Sequence, residues 1–196
     1  MKDRRRKMDP EGKRAAVLAA GERLFAAQGY TGTTMAEIAR EADVAVGSLY
    51  RLFPDKPALL AELHRAMEQR FIEAMSRGWQ SVDAYEDRFD PMIDALMKEA
   101  AAAREIMPLY AMTRELVESA DFVPGHAMIE AIKVQYREGR AKGVYVDQDP
   151  AVVAPIAHGM VEGAMRAWMM NPTERRRRAV ATDLKILFRR AFVVAA

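Results

Sequence analysis

A chain of 196 residues with 51% hydrophobic and 30% charged side chains is long enough to bury a sizeable core in one or two domains. Its formal net charge is only +2 and it has no cysteine, which excludes disulfides and thiolate metal sites and fits a reducing cytoplasm. No apolar run reaches the ~18 residues of a membrane span, and the basic amino terminus lacks the apolar segment of a secretory signal, so a cytoplasmic protein is expected.

Charge is distributed unevenly. Residues 1 to 56 carry 11 Lys or Arg against 8 Asp or Glu, and the excess lies in Lys2, Arg4, Arg5, Arg6 and Lys7. Residues 1–10 therefore form a basic arm. Such an arm can neutralise phosphates or enter a minor groove, and the competing reading is a solubilising tail. Val17, Leu18, Gly21, Leu24, Phe25 and Gln28 then follow one helical stripe, which predicts a first helix from Glu11 to Gln28 ended by Gly29.

Thr34 with Glu37 three residues on forms a capping box, so a second helix is expected over 34 to 41. Met35, Ile38, Ala39 and Ala42 give it a narrow apolar face. Asp43 can adopt the left-handed conformation needed at the turn, and a third helix follows over 45 to 51. Val44 and Leu49 point inward in this reading, leaving Ala45, Val46, Gly47, Ser48, Tyr50 and Arg51 for the outer edge. A helix, a tight turn and a short second helix with a polar edge is a helix-turn-helix, whose second helix enters the DNA major groove.

The flanks make the likeness specific: Ala-Ala-Gly-Glu-Arg-Leu-Phe-Ala-Ala-Gln-Gly-Tyr over 19 to 30, and Ser-Leu-Tyr-Arg-Leu-Phe-Pro-Asp-Lys-Pro-Ala-Leu-Leu over 48 to 60. Residues 11 to 60 resemble the TetR family of one-component transcriptional regulators. Asp43 stands where that family usually has Gly, and Ala45 where a capping residue is common. The resemblance implies an all-α protein: a three-helix helix-turn-helix domain over 11–56, joined by a long fourth helix to a helical ligand-binding and dimerisation domain over 57–196. It also implies that the Tyr50 hydroxyl bonds a phosphate. Thr34 and Lys56 sit at helix starts where phosphate is favoured, and both join the DNA-contacting set. Val46 offers a methyl contact to thymine, Ser48 a hydroxyl and Arg51 a guanidinium.

Asp55 caps the fourth helix, and Leu60, Leu63, Met67, Phe71 and Met75 mark its buried face out to about 71 and beyond. Further helices are expected near 84 to 103, 105 to 119, 124 to 141, 149 to 170 and 173 to 194. Methionines and aromatics concentrate there. Trp79, Met97, Tyr110, Phe122, His126, Met165 and Trp168 are the candidate lining of an apolar ligand cavity, although Met at helical spacing is also ordinary core. Val152, Ile156, Gly159, Met160 and Gly163 on one helix, with Val180, Leu184, Leu187 and Phe188 on the next, are the candidate two-fold interface of a homodimer.

His158 and Glu162, four residues apart, lack a second ligand pair, so no metal and no cofactor is expected. With three His, no Cys, no Glu-x-x-His pair and no Gly-rich phosphate loop, an enzyme reading finds no support. The expected function is a homodimeric transcriptional repressor, released from a palindromic double-stranded DNA operator by a small apolar or aromatic ligand. The alternative keeps the DNA operator and replaces the ligand by a protein partner.

Overall fold

The computed structural model describes residues 9–118 and 122–194. Arg4, Arg5 and Arg6 lie outside the described residues. Among those described, the elements are α1 (Pro10–Gly32), α2 (Met35–Glu41), α3 (Val46–Leu52), α4 (Lys56–Trp79), a 3-10 turn (Tyr85–Asp87), α5 (Phe89–Ala102), α6 (Met107–Val117), α7 (His126–Ala141), α8 (Pro150–Met169) and α9 (Glu174–Phe192). No strand occurs among the described residues; one isolated antiparallel bridge joins Tyr145 to Val193. The all-α class and the helix positions agree with the sequence pattern.

Local chemistry explains the boundaries. Asp9 caps α1 by accepting from the Gly12 N–H at 2.7 Å. Gly29 interrupts that helix with φ 78° and ψ 163°, a region open to glycine alone, so the regular helix stops where the sequence places its stop. Asp149 and Thr173 cap α8 and α9 in the same way as Asp9. Pro150 and Pro108 stand in first turns, where a missing N–H costs nothing.

The chain divides into two compact units, and the division differs from a cut after residue 56. The first unit combines the described residues up to Ala66 with the stretch from Glu105 to Val123, and the second takes Met67–Arg104 and Pro124 onward. In the first unit Val17, Ala20, Ile38, Ala39, Leu49, Leu59 and Leu60 are fully buried. α6 packs on α1, where the Tyr110 hydroxyl meets Glu22 at 3.5 Å. In the second unit α5, α8 and α9 pack together and α7 packs on α8. The core there is aromatic: Tyr145 stacks on Phe89 (ring centroids 5.0 Å) and on Tyr136 (5.7 Å), with Trp79, Phe188 and Phe192 edge-on around them. Gly139 makes room for this, since a Cβ there would run into the Tyr145 ring.

Candidate nucleic-acid interface

The turn between α2 and α3 is built from short-range contacts. The Thr34 N–H donates to Glu37 Oε2 at 2.8 Å, and the Glu37 N–H donates to Thr34 Oγ1 at 3.2 Å, which completes the capping box. Those bonds to Thr34 hold the Glu37 carboxyl below its ordinary range. The Thr34 hydroxyl proton is itself spent on Glu37 Oε2 at 2.7 Å. At the end of α2 Asp43 takes φ 51°, the one positive φ outside glycine among the described residues. That conformation lets the Val44 N–H return to the Ala39 carbonyl at 3.0 Å and redirects the chain into α3. Ala45 supplies no side-chain cap.

The seven residues of α3 then sort by face. Leu49 is fully buried and fixes the helix on its inner side. Val46, Gly47, Tyr50 and Arg51 are exposed, and Ser48 is half-buried. A Cβ on Gly47 would meet open space, so no neighbour within the chain requires glycine there. Tyr50 is 49% exposed, so its ring is not part of the core. The Arg51 guanidinium donates to Ser48 Oγ at 2.9 Å.

Lys56 is placed differently from a free cation. Its ammonium donates to the Tyr30 carbonyl at 2.8 Å and the Thr33 carbonyl at 2.9 Å, and lies 4.5 Å from the centre of the Tyr30 ring. It ties the end of α1 to the start of α4. Two of its three N–H groups are thereby committed within the protein.

The candidate ligand residues are divided between the two units. Tyr110 and Phe122 belong to the first unit, and Trp79, Met97, His126, Met165 and Trp168 to the second. Met97 is fully buried, Met165 is buried, and Trp168 is buried with its indole N–H on the Thr173 carbonyl at 3.2 Å. Trp79 is buried in the aromatic core and its N–H has no hydrogen-bond partner among the described residues. His126 is exposed in the first turn of α7, so it is not a buried polar handle.

The candidate dimer residues divide as well. Val152, Ile156 and Leu187 are more than half exposed, and Gly159 and Gly163 face open space. Met160 and Val180 are half-buried. Leu184 and Phe188, by contrast, are buried in the second unit's own core, Phe188 edge-on to Phe89, and so offer no surface to a second copy. A stripe at helical spacing serves either purpose, and here α5 occupies that face of α9. His158 and Glu162 approach to 3.9 Å as a pair, and no group of three metal-binding side chains gathers among the described residues.

Comparison with known proteins agrees with this geometry. The family model for bacterial regulatory proteins of the tetR family matches residues 17–63. The HTH-type transcriptional regulator HbdR of Aromatoleum sp. (strain CIB) is 44% identical over 50 residues, covering 26% of this chain and 22% of that protein. Over greater length, the HTH-type transcriptional regulator TtgR of Pseudomonas putida is 27% identical over 189 residues, 86% of each protein. A solved structure of a tetR-family transcription regulator from Shewanella sp. PV-4 superposes with a TM-score of 0.76 at 27% identity, covering 93% of this chain and 99% of that one. The chain belongs to the TetR family. It is a transcriptional regulator of that family and not an enzyme.

In this TetR-family chain one buried polar group went unnoticed in the sequence. His64 in α4 is buried, with Tyr110 edge-on at 4.7 Å and Phe122 at 6.5 Å between ring centres. Its Nε2 lies 2.9 Å from Thr113 Oγ1, whose own proton goes to the Leu109 carbonyl at 2.8 Å. Thr113 can then only accept, so the proton in this contact sits on His64 Nε2. Burial, with the nearby Arg114 charge, brings its pKa down to about 4. The signal was available: His64 follows Leu63 on the stripe of Leu60, Leu63, Met67 and Phe71, where a solvated histidine has no place.

Proposed function

We propose that this chain is a homodimeric repressor that grips its operator with the outer edge of α3 and lets go when a small apolar or aromatic molecule binds. The observation that carries the reading is the edge itself: Val46, Gly47, Tyr50 and Arg51 are exposed, while Leu49 alone anchors the helix inward. Gly47 costs helix stability of roughly 1 kcal/mol and relieves no crowding in the chain, which fits a helix that must come close to DNA. Tyr50 is assigned to phosphate, Val46, Ser48 and Arg51 to the groove, and the basic arm with Arg4, Arg5 and Arg6 to the backbone or minor groove. Thr34 and Lys56 are better suited to holding the motif in shape, Thr34 with both its donors on Glu37 and Lys56 with one ammonium N–H left for a phosphate.

Release requires only that the ligand prefer a conformer whose recognition helices no longer match half-sites about 34–36 Å apart. Support for coupling lies in the first unit, where α6 is packed on α1 and its Thr113 is bonded to His64 of α4. A molecule that displaces α6 therefore acts on the helices that carry the DNA-binding edge. The second copy is assigned to the exposed apolar residues Val152, Ile156 and Leu187 beside Gly159 and Gly163.

Reciprocal titration tests the proposal. A compound that weakens duplex DNA binding by some factor must itself be bound more weakly by the same factor when DNA is present. Compounds that bind without such reciprocity overturn ligand release and leave control by a protein partner as the reading. A wild type that sediments as a monomer at micromolar concentration overturns the dimer.

A further inference from the structure

α3 carries a single charged side chain, Arg51, and no Asn, Gln, Asp or Glu. Apart from the hydroxyls of Ser48 and Tyr50, its exposed edge therefore donates hydrogen bonds and does not accept them. The contact between Arg51 Nη2 and Ser48 Oγ, 2.9 Å long, makes that bias sharper. Residues three apart share a helix face, so the two groups form one patch. The guanidinium has five N–H donors and no acceptor, and one donor is turned onto Ser48. Ser48 accepts that bond, and its own O–H has no acceptor among the described residues. Arg51 has no carboxylate partner there either.

We propose that Ser48 is a positioning residue that holds Arg51 for one purpose, the recognition of guanine in the major groove. This rests on the reading of α3 as the DNA-contacting helix and deepens it to a base preference. A guanidinium, which only donates, is matched by two adjacent acceptors. Guanine presents them in N7 and O6; adenine pairs an acceptor with a donor, cytosine presents a donor, and thymine one acceptor beside its methyl group. Val46, exposed at the start of the helix, suits that methyl. The half-site read by this helix accordingly contains a guanine fixed by Arg51, and adenine and cytosine are not read through paired side-chain bonds. A guanidinium already held by Ser48 gives up less rotamer freedom on binding and arrives in the geometry that a bidentate contact requires.

The test is selection of duplexes from a random double-stranded library by the full-length protein, followed by binding measurements on the enriched site. Wild type is expected to enrich a site with one guanine per half-site whose replacement weakens binding roughly 5- to 150-fold. 7-Deazaguanine at that position, which lacks the N7 acceptor, should weaken wild type and leave Arg51→Ala unaffected. Ser48→Ala should lose part of the guanine discrimination, and Ser48→Thr, which keeps the hydroxyl, should restore it. Arg51→Ala that flattens the salt dependence but keeps the guanine preference makes Arg51 a phosphate contact and overturns the proposal. Ser48→Ala with full discrimination, or Ser48→Thr as defective as Ser48→Ala, overturns the positioning role. Enrichment of no sequence by wild type overturns the DNA reading itself, which separates that failure from the others.

Discussion

Each of the two compact units is shaped by its own kind of internal contact. In the first, the shape of the functional edge follows from interactions a few residues apart: the Thr34–Glu37 box, the left-handed Asp43 and the Lys56 bonds to Tyr30 and Thr33. In the second, the core gathers rings from positions 79, 89, 136, 145, 188 and 192, which only the folded chain brings together. A local device can be read from the sequence and replaced one group at a time. A non-local core can be seen only in three dimensions, and it responds to substitution as a whole.

Phe89→Ala gives the largest effect expected from this contrast. It removes the ring on which Tyr145 stacks and against which Phe188 and Phe192 lean, and should cost about 3–5 kcal/mol in chemical unfolding. The short-range contacts of the α2–α3 turn do not involve it, so whatever protein remains folded should still bind DNA at low temperature. Loss of DNA binding without loss of stability would break the comparison. Thr34→Ala comes next. Removing the capping box should cost about 0.5–2 kcal/mol and weaken DNA binding to a similar degree through misplacement of α2, with Thr34→Ser restoring both.

Gly47→Ala sharpens the comparison because its two consequences have opposite signs. The added Cβ meets nothing in the chain, so the helix should gain about 0.5–1 kcal/mol in thermal unfolding. DNA binding should nevertheless weaken, because the methyl group stands where the backbone approaches the groove. A variant that is both more stable and equally competent on DNA would remove the functional argument for this glycine.

The effect that vanishes at neutral pH belongs to His64. Its folded pKa of about 4 lies below the ordinary 6.5, so the unfolded chain takes up the proton first as pH falls. Stability from the neutral ring is present above 6.5 and is lost between 6.5 and 4, with no further loss below. His64→Gln should lack that slope in urea unfolding across this window. A wild type and variant with parallel pH profiles would contradict the buried neutral tautomer.

What the sequence made legible follows the same division. The caps, the Gly29 stop, the Asp43 turn and the inward Leu49 are decided by neighbours, and their residues sit where the pattern placed them. Apolar stripes carried less information, because a stripe says that a face is covered and not by what. Leu184 and Phe188 therefore read as interface and are core, and Tyr110 and Phe122 were grouped with residues of the other unit. Lys56 was legible as a cation at a helix start, but its two carbonyl acceptors come from residues 26 and 23 positions away. His64 had a local signal in its stripe, while its partner Thr113 lies 49 residues further along the chain.

The most direct measurement is fluorescence anisotropy of a labelled duplex, titrated with wild type and Tyr50→Ala over a salt series. The Tyr50 hydroxyl on the exposed edge of α3 is assigned to a phosphate. The logarithm of the wild-type affinity should fall linearly with the logarithm of salt concentration, and Tyr50→Ala should bind more weakly on every sequence with a slope shallower by about 1. A variant whose base preference changes while its salt slope stays that of wild type, or a wild type that ignores duplex DNA at low salt, would contradict the account.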